Sequence, residues 1–145
     1  MEKKQFKTSI KAPRQHVWEL LWGKDSYPEW TSVFAEGSHA ETDWKKGSKV
    51  LFLDGQGRGM VSRVEENIPN EFMSFEHLGE VTDGKEDTVS EKVKQWAGAH
   101  ENYTLKTVDG GTELVVDMDV AEEFEEMFSE VFPKALNKLK TMAEK

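Results

Sequence analysis

The chain has 145 residues with 19 basic and 28 acidic side chains, a net charge of -9 and no cysteine. Disulfides, thiolate metal ligands and cysteine nucleophiles are excluded, and a nucleic-acid backbone or an anionic membrane would be repelled at long range. Five Trp and eight Phe argue against disorder and supply apolar area for a core or a pocket wall.

The length predicts one domain, residues 1–145, large enough for a core without staples. The first residues run straight into alternation, with no apolar stretch of about 7–15 residues for a secretory signal. No run approaches the ~20 apolar residues of a membrane span. The expectation is a soluble, cytoplasmic protein.

Phe6, Thr8 and Ile10 alternate with Lys7, Ser9 and Lys11, the period of a half-buried strand. Pro13 suits the first turn of a helix carrying Val17, Trp18, Leu20, Leu21 and Trp22, which Gly23 and Lys24 stop. Residues 25–30 read as a second short helix, capped by Asp25 or Ser26. Strands are predicted over 34–44, 50–54, 59–66 and 72–78, separated by turns at 45–48, 55–57 and 67–70. Residues 79–97 read as a long charged insertion, with a short helix between Asp87 and Trp96. A hairpin, 101–108 and 112–119, turns at Asp109-Gly110-Gly111. From Val120 to Lys145 a helical stripe runs through Phe124, Phe128, Phe132, Leu136 and Leu139, acidic in its first half and basic in its last. Pro133 inside it predicts a kink or short break.

The order is strand, two short helices, six strands, long helix: an α+β domain with helices on one face of an antiparallel sheet. Several short motifs occur in a familiar order: Ile10-Lys11-Ala12-Pro13 before Val17-Trp18-Glu19-Leu20-Leu21, then Tyr27-Pro28-Glu29-Trp30-Thr31, Trp44-Lys45-Lys46-Gly47-Ser48, and Phe132-Pro133-Lys134-Ala135-Leu136. In these the chain resembles the START-like (SRPBCC) superfamily. It is most similar to stand-alone domains like the C-terminal domain of the activator of heat-shock protein 90 ATPase. The resemblance implies the helix-grip, or birch-pollen-allergen, fold, a curved seven-stranded sheet wrapped around the last helix. It also implies a cavity for hydrophobic small molecules; some members act on partner proteins and a few are enzymes.

Alternation turns Met60, Ser62, Val64, Met73, Phe75, His77, Tyr103, Leu105, Leu114, Val116 and Met118 towards the helix. Ser62, His77 and Tyr103 are the polar exceptions. They are placed either to bond the polar end of an apolar ligand or to pair with one another in a filled core. Trp30, Phe34, Met60, Phe52, Phe75, Leu105, Phe128 and Phe132 line the cavity or pack the core, and Trp96 is a lid or an anchor.

The four histidines lack metal-site spacing, and no metal or other cofactor is expected. No motif nominates a catalytic triad, so binding is favoured over catalysis; His77 with a nearby acid is the pair to examine. The leading reading is binding of a lipid-like or aromatic molecule. The alternative is a protein-interaction module, with a chaperone or a second copy as partner and an apolar patch around Trp22, Tyr27 and Trp30. A small-molecule enzyme is the third.

Overall fold

The computed structural model describes residues 1–145. β1 (Glu2–Ile10) leads through Ala12-Pro13 into α1 (Arg14–Trp22). Pro13 sits just before the helix, not inside it, and its carbonyl accepts from the amides of His16 and Val17 at 3.0 and 3.1 Å. α2 (Ser26–Thr31) follows; Asp25 precedes it without the side-chain cap expected, and the Tyr27 amide donates instead to the Gly23 carbonyl.

The strand expected over 34–44 shrinks to β2 (His39–Glu41). Residues just after α2 turn instead, Phe34 N–H onto the Thr31 carbonyl and Ser38 N–H onto that of Ala35. Gly37 takes a φ of 76°, where a Cβ would stand 2.6 Å from the Gly55 Cα, so only glycine fits. The turn frees Phe34 to meet Phe132, ring centroids 5.0 Å apart.

β3 (Lys49–Leu53), β4 (Gly59–Ile68) and β5 (Phe72–Thr82) form the expected meander. The stretch expected as an irregular insertion is more regular than its charge suggested. β5 runs on to Thr82 and hairpins into β6 (Lys85–Asp87) through Asp83 and Gly84, both at positive φ. α3 (Glu91–Lys94) is capped by Ser90 Oγ, which accepts from the Val93 amide. β7 (His100–Val108) and β8 (Gly111–Val120) make the closing hairpin, again across an Asp-Gly turn.

The sheet order is β1-β8-β7-β5-β4-β3-β2, seven main strands, with β6 beside the far end of β5. All pairings are antiparallel. β7 pairs with β5 only from Phe72 to Glu76, and β6 takes over from Glu80 to Thr82. Between them the sheet splits. The split is pinned by two backbone bonds of 2.8 Å, His77 N–H to the Ala99 carbonyl and Gly98 N–H to the His77 carbonyl.

α4 (Glu122–Ala143) lies across the sheet and runs unbroken through Pro133, an exposed residue, so no break forms there. Its buried residues are Phe132, Ala135, Leu136, Leu139 and Ala143, none before the middle of the helix. These join Val17, Leu21, Trp30, Phe75, Leu114 and Val116 in one core of 21 residues. From Glu122 to Val131 no side chain is fully buried. The helix is therefore anchored by one half, and its other half roofs a space.

Candidate functional site

That space is an apolar cavity of about 520 Å³ between the first half of α4, α2 and the strands β3, β4, β5 and β7. Trp30, Phe34, Phe52, Met60, His77, Tyr103, Phe128 and Phe132 lie in its wall. A second chamber of about 420 Å³ sits at the split in the sheet and is lined by Trp96 and Ala99. Met60, His77, Glu101 and Phe128 belong to both walls, so the chambers are two lobes of one cleft. Both sizes fall in the range of small-molecule sites, roughly 300–1,000 Å³.

Each inward residue owes its place to strand period and register. Met73, Phe75 and His77 share a face of β5, and Ser62 pairs directly across from His77. The next pair is Val61 with Gly79, so Leu78 is an extra residue, a bulge. The bulge turns Glu80 to the side of its partner Met60, at the mouth, where it pairs with Lys92 at 3.4 Å. On β7, Glu101, Tyr103 and Leu105 share a face, and Glu101 lies across from Phe75.

The polar groups at the cavity wall form one chain. Ser62 Oγ and His77 Nδ1 are 2.6 Å apart, His77 Nε2 lies 3.1 Å from Glu101 Oε1, and the Tyr103 hydroxyl donates to Glu101 Oε2. The proton inventory fixes the direction. Ser62 is fully buried and its hydroxyl has no side-chain or backbone partner other than His77. Were Nδ1 protonated, the Ser62 proton would be stranded, which costs about 1–3 kcal/mol. Ser62 therefore donates to Nδ1, Nε2–H donates to Glu101, and Tyr103 donates to the same carboxylate. Glu101 is the acceptor at which the chain ends. Its side chain keeps 18% exposure, more than any other member linked to it through His77. Burial first and the Glu101 charge second push the Tyr103 phenol well above the ordinary tyrosine range, so it stays a donor. The same two causes raise the Tyr27 phenol, which also lines the cavity.

Of the candidate residues, Trp30, Phe34, Phe52, Met60, His77, Tyr103, Phe128 and Phe132 meet at the first lobe. Three do not face it. Phe75 and Leu105 are core residues behind the wall, and Ser62 stands behind the imidazole. The correction is one of depth: a strand's period gives the face, and the neighbours packed in front decide whether a side chain reaches open space. Trp96 is buried at 6% exposure and holds the α3 segment onto the sheet, so it is an anchor whose edge lines the second lobe. Trp22, Tyr27 and Trp30 form no surface patch: Trp22 is the buried hub of an aromatic cluster with Tyr27, Trp44, Phe75 and Tyr103.

Glu101, Tyr27, Phe124 and Met127 line the cavity without having been expected there, Tyr27 having been assigned to a surface patch and Phe124 only to the helical stripe. Glu101 was legible in one respect, being two residues before Tyr103 on the same face. No group of three or more His, Asp or Glu converges as a metal site. No helix is long and apolar enough to cross a membrane.

A seven-stranded antiparallel sheet gripping a long C-terminal helix, with two short helices after the first strand and a cleft beneath the last, defines a helix-grip domain of the SRPBCC, Bet v 1-like class. Within that class the chain belongs to the family described as Activator of Hsp90 ATPase homolog 1-like protein, whose model matches residues 11–144. No curated protein matches it. Among solved structures it resembles the Aha1 dimer of Colwellia psychrerythraea, with 18% identity, a TM-score of 0.71, and 99% of this chain and 97% of that one covered. CV1439 of Chromobacterium violaceum shares 17% identity at a TM-score of 0.72, over 100% and 99% of the two chains. DynU16, from the dynemicin biosynthetic locus, shares 16% at 0.73, over 97% of this chain and 46% of that longer one. At such identities these likenesses speak to fold alone.

Proposed function

We propose that this domain binds an apolar small molecule in the cleft beneath the first half of α4. The observation that carries the reading is the largely aromatic cavity of about 520 Å³ with a hydrogen-bonded polar group at His77, Glu101 and Tyr103 in its wall. Mostly apolar surface supplies affinity and a few fixed polar groups supply orientation. The reading is binding, not catalysis. In a serine–histidine–acid triad the hydroxyl faces substrate and the acid is buried. Here the order is reversed, with Ser62 sealed and Glu101 at the open end. The neutral fluorescent probe N-phenyl-1-naphthylamine is expected to bind with micromolar affinity. Met60→Trp, which fills the junction of the two lobes, is expected to weaken it at least about tenfold, or 1.4 kcal/mol. Undiminished binding by a folded Met60→Trp protein would reject the site.

One observation favours a second reading, association with another protein chain or with a second copy. Phe124 and Met127, three apart on the unanchored half of α4, are 37% and 43% exposed. The similar Aha1 protein is a dimer. Light scattering of the purified protein separates a dimer from a monomer, and co-purification with the cognate chaperone tests the hetero-partner.

A further inference from the structure

The polar wall also says what chemistry its occupant carries, if the cavity is a binding site as proposed above. We infer that the ligand is cationic, an ammonium group on an apolar body, and that Glu101 is its counter-ion.

Four observations converge. First, Glu101 has only neutral partners, an imidazole N–H and a phenol O–H, and no lysine or arginine lies within ion-pairing distance of it. Both of its oxygens already accept, so it stands as a carboxylate whose charge no fixed cation neutralises. An anionic headgroup brought beside it would be repelled in a low-dielectric wall, where repulsion is stronger than in water.

Second, the cations in the two walls stand at the mouth and not beside Glu101. Arg58 lies 3.8 Å from Asp54 and Lys92 3.4 Å from Glu80, both at the mouth. Neither pairs with Glu101, and each already has an acidic neighbour.

Third, the lobe that Glu101 lines is also walled by Tyr27, Trp30, Phe52 and Tyr103. Aromatic faces carry negative quadrupole potential and hold ammonium groups. A carboxylate amid such rings suits a cation on two counts.

Fourth, the approach is acidic. The half of α4 that roofs the cleft carries Glu122, Glu123 and Glu126 beside the lining residues Phe124 and Met127, with Glu125 paired to Lys4 at 2.7 Å, and the chain as a whole carries a net charge of -9. Such a field raises the local concentration of cations. The amides at the α4 N-terminus act in the other direction, but Glu122, Glu123 and Glu125 in that first turn already complement them.

The test is a competition series against bound N-phenyl-1-naphthylamine at neutral pH. It uses 1-dodecylamine, 1-dodecanol and dodecanoate, one chain length with three headgroups, below their aggregation limits. Dodecylamine is expected to displace the probe at least about tenfold more tightly than dodecanoate, with dodecanol between, and to keep that order in roughly 0.5 M NaCl, where surface attraction is screened. Glu101→Gln is expected to bring dodecylamine down to the level of dodecanol in the same protein. Dodecanoate competing as well as dodecylamine would overturn the inference while leaving the cavity intact. A preference that vanishes in salt, or survives Glu101→Gln, would assign it to surface charge and overturn it too. Failure of the probe to bind at all would remove the cavity reading and this inference together.

Discussion

Ser62 is a small residue with a large structural obligation. Its hydroxyl is fully buried and has one partner, so the Ser62–His77 bond is as much a folding contact as part of a site. Buried polar groups that lose a partner cost about 1–3 kcal/mol. Ser62→Ala is therefore expected to lower unfolding free energy by about 1–2 kcal/mol in urea titrations, by stranding Nδ1. A double-mutant cycle with His77→Ala should return a coupling of about 1 kcal/mol, and a cycle that closes with none would mean the two side chains do not interact. Gly79, next along β5, has a backbone reason for its identity. A Cβ there would stand 2.1 Å from the Asp87 carbonyl oxygen, which is how β6 lies so close against the end of β5.

α4 carries two kinds of constraint along its length. Its last turn is clasped to the chain start: Glu144 accepts from the Lys140 ammonium at 2.6 Å and from the Lys11 amide at 2.8 Å, and Lys140 also donates to the Ser9 carbonyl. The Lys140 hydrogen bond first, then the Lys11 amide, hold the Glu144 carboxyl below the usual range. A depressed carboxyl stabilises the fold above its unfolded value, near 4.3, and that stabilisation fades as pH falls through the lower folded pKa. Glu144→Gln is accordingly expected to lower the melting temperature at pH 7, with the difference from the parent protein shrinking as pH falls below about 4.3, so that the acid limb is flatter. An unchanged acid limb would show that the clasp does not form in solution. In mid-helix, exposed Pro133 leaves the Ser129 carbonyl without its helical donor. Pro133→Ala restores it and is expected to stabilise the protein by about 1–3 kcal/mol, read as a higher urea midpoint. A destabilised variant would mean that the proline shapes the helix to the sheet.

Across the whole molecule one core of 21 residues ties α1, α2, α4 and the strands together, with no second cluster large enough to stand apart. Unfolding is expected to be a single cooperative step. Tryptophan fluorescence, to which buried Trp22, Trp30 and Trp96 contribute, should follow the same urea transition as far-ultraviolet circular dichroism. Transitions that separate would reveal independent units. The Asp83-Gly84 hairpin makes the same point about consistency. Its turn chemistry matches that of Asp109-Gly110, yet the charged residues around it masked the strand β6 that pairs behind it.

What the sequence determined by itself is everything that depends on period. Alternation set the inward faces of β4, β5, β7 and β8, a 3.6-residue stripe set the core side of α4, and Asp-Gly placed the last hairpin. These are properties of neighbours along the chain. Three things were decided only by the tertiary structure: the collapse of the strand after α2 into a turn that releases Phe34, the burial of only half of α4, and the meeting of Ser62, His77, Glu101 and Tyr103. Each depends on register, on a bulge at Leu78, or on what packs in front of a side chain. Those are relations between residues distant in sequence, and a periodic pattern carries no information about them.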